Sequence, residues 1–141
     1  MQRVVYGDWI LLATIVGTVL LDQISKHLIR TWIEFGQAIP LVGFIQLLHV
    51  TNSGSAFGFF QGQTLPLIVA SVVGISLLLW FYIRQSRNQP ILGFCFGLLL
   101  GGAIGNLVDR VLLGRVTDFI DIGWWPTFNL ADSAIVIGVA I

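Results

Sequence analysis

Two aspartates in the C-terminal part of the chain, Asp118 and Asp132, have the residue type and setting that acid–base chemistry needs. Asp118 begins an Asp-Phe-Ile-Asp segment, and Asp132 lies one turn into a following apolar stretch, with Asn129 three residues earlier on the same helix face. Two carboxylates held close together share one proton, so the ionised member can activate water while the protonated member polarises a carbonyl group. The spacing is compatible with a hydrolytic dyad, with a proton relay in a transporter, or with a helix cap formed by Asp132.

A second pair of charged residues lies near the end of the first apolar stretch. Asp22 and Lys26 are four residues apart, so they share one helix face and can form an ion pair. A catalytic Lys26 would require a nucleophilic serine, but Ser25 points elsewhere on the helix and no serine motif is present. We therefore expect Asp22 and Lys26 to give structural support.

The third apolar stretch carries two stripes of residues at four-residue spacing. Asn106 and Arg110 continue one stripe from Gly102, and an amide and a guanidinium on one face suit binding of substrate backbone carbonyls. Asp109 continues the other stripe, so we expect it to have a structural role beside a basic neighbour. The small residues of that stripe predict close packing against another helix; they are Gly93, Gly97, Gly101 and Gly105.

The composition indicates an integral membrane protein. The chain is 56% hydrophobic and 10% charged, whereas soluble domains have about 25% charged residues. With seven basic and seven acidic residues and no basic run, nothing favours nucleic-acid binding. Cys95 is the only cysteine, and neither His27 nor His49 has metal-ligand spacing. We therefore expect no disulfide and no metal.

Four apolar stretches predict membrane-spanning helices, at about residues 8–29, 65–83, 91–113 and 128–141. A helix needs roughly 20 residues to cross about 30 Å of hydrocarbon. The first three are long enough, whereas the last is shorter and is expected to be a truncated span. The first stretch continues past Asp22 without a cleavage site, so we expect it to be retained rather than removed as a signal peptide. Residues 1–141 form a single predicted domain.

Two of the connecting segments are long enough to contain structure. Residues 30–64 include an apolar stretch and a turn-like sequence at 52–54, which predict a small β element. An interfacial segment with Phe57, Phe59 and Phe60 is expected to follow it and to act as a movable lid. Trp124 and Trp125, just before the fourth stretch, are typical of an anchor at the membrane interface.

Membrane topology predicts that the polar residues gather at one face. Because consecutive spans alternate in direction, the end of the first, the start of the second, the end of the third and the start of the fourth share that face. The positive-inside rule does not decide which face is outside. The residues expected there are Asp22, Lys26, Asn52, Asn106, Asp109, Arg110, Asp118, Asp121, Asn129 and Asp132.

At these polar residues the sequence resembles the bacterial lipoprotein signal peptidases, or type II signal peptidases. The matching blocks occur in the order found in that family, at residues 22–26, 52–57, 101–110, 116–119 and 128–133. The resemblance implies an all-α integral membrane protein with four transmembrane helices and a small extracytoplasmic β element between helices 1 and 2. It also implies an aspartyl endopeptidase of the bacterial cytoplasmic (inner) membrane, which cleaves prolipoproteins just before a diacylglyceryl-modified cysteine.

The resemblance further implies roles for individual residues. Asp118 and Asp132 match the catalytic pair. The positions matching the family's substrate and inhibitor pocket are Asn52, Gly54, Asn106, Arg110 and Asn129. The positions implied to give structural support are Asp22, Lys26 and Asp109. The expected partners are prolipoprotein substrates, membrane lipids and globomycin-type inhibitors, with no cofactor and with a monomeric protein.

Two other functions compete with that of a peptidase. A small proton-coupled transporter or channel subunit would use Asp109, Asp118 and Asp132 as relay sites, but it predicts ionisable residues spread through the membrane or an internal repeat. A non-catalytic scaffold would use the glycine stripe as its interface, but it leaves the cluster of polar residues unexplained.

Overall fold

The computed structural model describes residues 6–54, 63–85 and 89–141, which contain four helices and three strands. The helices are α1 (Tyr6–Trp32), α2 (Thr64–Arg84), α3 (Pro90–Leu113) and α4 (Leu130–Ala140). The strands are β1 (Ala38–Val42), β2 (Ile45–Asn52) and β3 (Val116–Asp121). The segment with Phe57, Phe59 and Phe60, which the sequence predicts to be interfacial, lies outside the described residues.

Three of the helices have the length and composition of membrane spans. The most apolar windows of α1, α2 and α3 have mean hydropathies of 1.4, 2.2 and 2.0, and only 6% of the α2 window is buried in the protein. Such a surface would be unstable in water, so these helices fit a lipid environment. The fourth helix is also apolar but comprises 11 residues.

Helix α3 packs against α1 along the glycine stripe, as the sequence predicts. A Cβ atom at Gly97 would lie 2.5 Å from the Cβ of Thr14, and one at Gly101 would lie 2.6 Å from the Cβ of Thr18. On a different face of α3, a Cβ at Gly102 would collide with the carbonyl oxygen of Ala131 in α4. Glycines therefore bring α3 close to both α1 and α4.

The three strands form one antiparallel sheet in the order β1-β2-β3. Strand β2 pairs with β3 through Val50 opposite Asp118 and Thr51 opposite Thr117. The predicted β element between the first two helices is present as β1 and β2, and β3, which follows α3, adds a third strand that the sequence did not predict. The Val-Thr-Asp-Phe-Ile-Asp segment has β-branched and aromatic residues typical of a strand, but its two aspartates are more typical of a polar loop.

The chain folds back on β3 before α4 begins. Phe128 exchanges backbone hydrogen bonds with Ile120, at 2.8 and 3.1 Å. Phe119 of β3 packs in a buried cluster with Ile29 in the last turns of α1 and with Ile33 just after it. These contacts place the start of α4 beside β3 at the same end of the helices.

We expect Gly101→Ala to lower the thermal unfolding temperature in detergent, measured by tryptophan fluorescence. The added methyl group would meet the β-branched Thr18 side chain, and such overpacking typically lowers stability by about 1–3 kcal/mol. Gly17→Ala is the matched control, since its added Cβ would meet no atom within 4 Å apart from those of the adjoining helix backbone. It should gain up to about 1 kcal/mol from helix propensity. Equal unfolding temperatures for the two variants would contradict close packing at Gly101.

Candidate active site

Asp118 and Asp132 are joined through the residue that begins α4. The Asn129 Nδ2 group donates to Asp118 Oδ1 at 2.7 Å. The Asn129 side chain also accepts from the Asp132 backbone N–H at 2.9 Å, and the Asn129 backbone N–H donates to Asp132 Oδ2 at 3.2 Å. Asn129 is fully buried and Asp118 is 3% exposed, whereas Asp132 is partly accessible. The structure thus brings together the two carboxylates that the sequence singles out.

A second amide, that of Asn106 in α3, links Asp132 to the interior. Its Nδ2 group donates to Asp132 Oδ1 at 2.8 Å. Its Oδ1 atom accepts from Lys26 Nζ and from Asn129 Nδ2, each at 3.1 Å. The side chains of Asn106 and Asn129 therefore contact the aspartates, Lys26, each other and the Thr117 carbonyl oxygen. Their expected role in substrate binding remains a prediction.

A buried ion cluster lies behind the two amides. The Lys26 ammonium group, which is completely buried, lies 2.8 Å from Asp22 Oδ2 and 3.4 Å from Asp109 Oδ2. Asp22 Oδ1 also accepts from the Ala131 N–H at 3.0 Å, and Asp109 Oδ2 accepts from the Thr117 N–H at 2.9 Å. The expected pairing of Asp22 and Asp109 with a basic residue is present. Each carboxylate also holds a backbone N–H next to one of the two aspartates, at Ala131 beside Asp132 and at Thr117 beside Asp118.

Three residues of this network were missed by the sequence analysis. Gln23 donates to Asp109 Oδ1 and to the Gly105 carbonyl oxygen, both at 3.1 Å. Arg30 donates to the hydroxyl of Thr117 at 2.9 Å. Arg30 was detectable, because it continues the four-residue spacing of Asp22 and Lys26. Gln23 and Thr117 gave no signal of their own.

The remaining predicted pocket residues lie at the edge of the site. Arg110 is half-buried, donates to the Ser71 hydroxyl at 3.3 Å, and interacts electrostatically with Asp132 and Asp118.

Asn52 hydrogen bonds to the Asp118 carboxylate, and its Oδ1 atom accepts from the Gly54 N–H at 2.7 Å. Gly54 has a φ of 86°, and a Cβ there would collide with Leu67 of α2. The left-handed backbone conformation thus favours glycine at this position.

The electrostatics make Asp118 easier to protonate than an ordinary aspartate. Burial raises the pKa of Asp118 from 3.8 to about 6, and the negative charge of Asp132 contributes to this rise, while hydrogen bonds from Asn129 and Asn52 oppose it. A carboxyl group that binds a proton near neutral pH can donate it to a substrate. Among the described residues, every buried side-chain nitrogen or oxygen has a hydrogen-bond partner.

No cluster of three His, Cys, Asp or Glu side chains suited to a metal occurs in residues 6–54, 63–85 and 89–141. The carboxylates here are occupied instead by Lys26, by side-chain amides and by backbone N–H groups. That the site works without a metal remains a prediction.

Comparison with known proteins identifies a protein family by sequence and finds a similar fold among solved membrane enzymes. The family model for signal peptidase (SPase) II matches residues 14–141. A lipoprotein signal peptidase of Dehalococcoides mccartyi is 47% identical over 126 residues, covering 86% of this chain and 78% of the relative. That of Syntrophotalea carbinolica is 44% identical, covering 94% and 86%. A bacterial membrane enzyme solved by the in meso method at 1.9 Å has a TM-score of 0.85 and 32% identity, covering 92% and 87%.

We expect Asp118→Asn to raise the thermal stability near neutral pH. In the folded protein the pKa of Asp118 lies above the ordinary aspartate value of 3.8. Protonated Asp118 therefore contributes its full stability below about pH 4. This contribution is lost as the pH rises towards 6. This rise in the pKa of Asp118 corresponds to about 3 kcal/mol of folding free energy. Asparagine never ionises, and its amide oxygen can still accept from Asn129. The gain in unfolding temperature should therefore be present at about pH 7 and absent at about pH 4.

Asp121→Asn provides the control of opposite sign on the same strand. Hydrogen bonds from Gln46 and the Gly123 N–H lower the pKa of the partly exposed Asp121. Its ionised form therefore stabilises the fold at neutral pH, so this variant should be no more stable than the parent protein at any pH. A pH-independent gain for Asp118→Asn would show that burial of its charge is not the cause.

Proposed function

The chain belongs to the signal peptidase II family, and we propose that it is a membrane-embedded aspartyl endopeptidase that acts on prolipoproteins. It removes the signal peptide by cleaving just before the diacylglyceryl-modified cysteine, with Asp118 and Asp132 as the catalytic dyad. The observation that carries this proposal is the bridge through Asn129, which holds the two carboxylates together at one end of the apolar helices.

The environments of the two aspartates support different roles for them. Asp132 lies in the first turn of α4, where the helix dipole favours a negative charge, and it accepts hydrogen bonds from Asn106 and Asn129. Asp118 is almost completely buried on β3, and its raised pKa favours the protonated form. We assign Asp132 as the base that activates water and Asp118 as the acid that protonates the scissile carbonyl oxygen.

The assignment gives a balanced reaction. Asp132 takes a proton from water as the water oxygen attacks the scissile carbonyl carbon, and Asp118 gives its proton to the carbonyl oxygen. The resulting gem-diol collapses when Asp132 passes its proton to the amide nitrogen of the lipidated cysteine, which leaves as an amine. Asp118 then recovers a proton from the gem-diol hydroxyl, so both residues return to their starting states.

The location of the substrate supports an active site at the end of the helices. The acyl chains of a diacylglyceryl group keep the substrate in the bilayer, since each buried CH₂ contributes about 0.8 kcal/mol. We place the protein in the bacterial cytoplasmic membrane with the site on the extracytoplasmic side, where exported prolipoproteins are available. Inhibition by globomycin-type peptides and action as a monomer remain predictions.

The transporter hypothesis gains no support from the comparisons or from the arrangement of the charges. Asp109, one of its three relay sites, is held by Lys26 and by the Thr117 N–H. The described charged residues around it are gathered at one end of the helices rather than along a path through them.

We expect Asp118→Asn and Asp132→Asn each to lower cleavage of a diacylglyceryl-modified prolipoprotein by at least about 10²-fold, since each removes an acid–base group. The measurement is turnover by purified protein in lipid nanodiscs. Asp109→Asn should retain part of the activity while lowering the unfolding temperature, because it leaves the buried Lys26 with one carboxylate partner.

Asp121→Asn is the matched control for this experiment, because it makes the same change at the end of β3 outside the dyad network. It should cleave at close to the parental rate. If Asp118→Asn or Asp132→Asn is folded and cleaves as fast as Asp121→Asn, the dyad assignment is wrong.

A further inference from the structure

A cleft of about 440 Å³ opens beside the partly accessible side of Asp132. Its polar lining is Asp132 and Ser133, which lie at the start of α4. The remainder of its wall is apolar and aromatic, formed by Ile122, Trp124, Trp125, Phe128, Val136 and Ile137. None of the mechanistic steps above uses these apolar residues.

The cleft extends from the dyad towards the apolar part of α4. Val136 and Ile137 lie one helical turn beyond Asp132 and Ser133, which is about 6 Å along the axis. Trp124 and Trp125 stand beside it with their ring centroids 6.0 Å apart, in an edge-to-face arrangement. Both indoles are largely exposed, at 75% and 58%, as expected for residues at a membrane interface. The cleft therefore connects the reacting carboxylate with hydrocarbon depth.

The lining is unsuited to a polypeptide. An extended peptide brings backbone N–H and C=O groups that need hydrogen-bond partners, and the hydroxyl of Ser133 already donates to the Asn129 carbonyl oxygen at 3.0 Å. A helical peptide forms its own backbone hydrogen bonds. However, an α-helix is a cylinder about 10 Å wide with a rise of about 1.5 Å per residue, so each residue occupies about 120 Å³. The cleft would hold about one turn of it at most. A hydrocarbon chain needs no hydrogen-bond partner and is much thinner.

We propose that this cleft binds one acyl chain of the diacylglyceryl group on the substrate cysteine. This inference rests on the proposed function. The thioether that carries the lipid is a few bonds from the scissile amide, so a chain seated beside Asp132 places that amide at the dyad. The chain exchanges bilayer for an apolar cleft, so the gain is in positioning rather than in hydrophobic free energy. The second acyl chain stays in the bilayer.

The test compares two lipopeptides with the same peptide sequence, one bearing straight dipalmitoyl chains and the other bearing methyl-branched diphytanoyl chains. Cleavage is measured with purified protein in nanodiscs. Val136→Trp, which fills the cleft, should lower kcat/KM for the straight-chain substrate by about 10-fold or more. The control is Val139→Trp on the same helix, because Val139 is 74% exposed and is not part of the cleft lining. It should leave kcat/KM unchanged.

A gain-of-function variant keeps the test independent of folding defects. The parent protein should cleave the branched-chain substrate more slowly than the straight-chain one, and Ile137→Ala, which widens the cleft, should raise the branched-to-straight ratio of kcat/KM several-fold. The proposal is overturned if Val136→Trp behaves like Val139→Trp, or if Ile137→Ala leaves that ratio unchanged.

The outcomes also separate this inference from the proposed function. If the cleft variants alter the preference for signal-peptide residues but not for chain branching, the cleft binds peptide and the acyl assignment is wrong, while the peptidase function stands. If the parent protein cleaves neither lipopeptide, the proposed function itself fails, and the acyl assignment fails with it.

Discussion

The structure depends on the burial of one ammonium group, that of Lys26, among apolar helices. An unpaired charge at this depth would destabilise the fold by several kcal/mol, so Asp22, Asp109 and Asn106 must all lie within reach of it. This requirement fixes the relative position of α1 and α3. The two carboxylates also accept from the backbone N–H groups of Ala131 and Thr117. The same ions therefore set the position of α4 and β3, the two elements that carry the dyad.

The glycine stripe makes this ion cluster geometrically possible. Side chains as short as that of Asp22 reach across a helix interface only when the backbones approach closely, and small residues allow that approach. The clearest case is Gly105, where an added Cβ would lie 2.5 Å from Asp22 Oδ2. Close packing and charge pairing therefore depend on each other at this position of α3. A methyl group there would displace a carboxylate that also holds the start of α4.

Local spacing was enough to predict the parts of the site that lie within single helices. The four-residue periods gave the ion pair of Asp22 with Lys26 and the glycine face of α3, and alternation of the spans placed the polar residues at one end. Strand β3 could not be predicted in this way, because its pairing partner is β2, more than 60 residues earlier in the chain. Gln23 and Thr117 were missed for the same reason, since their partners come from α3 and α1.

The two local interpretations of Asp132, as a helix cap and as a catalytic carboxylate, describe the same contacts. Asn129 and Asp132 form a reciprocal capping box at the start of α4, which is a common way to begin a helix. Here the capping residue also donates to Asp118, so the geometry that satisfies the helix terminus sets the relative position of the two carboxylates. Asp132 Oδ2 is held by the capping N–H and Oδ1 by Asn106. Because these donors are fixed by the backbone and by the Lys26 cluster, they need not reorganise as charge shifts between the aspartates, which is the condition for efficient electrostatic catalysis.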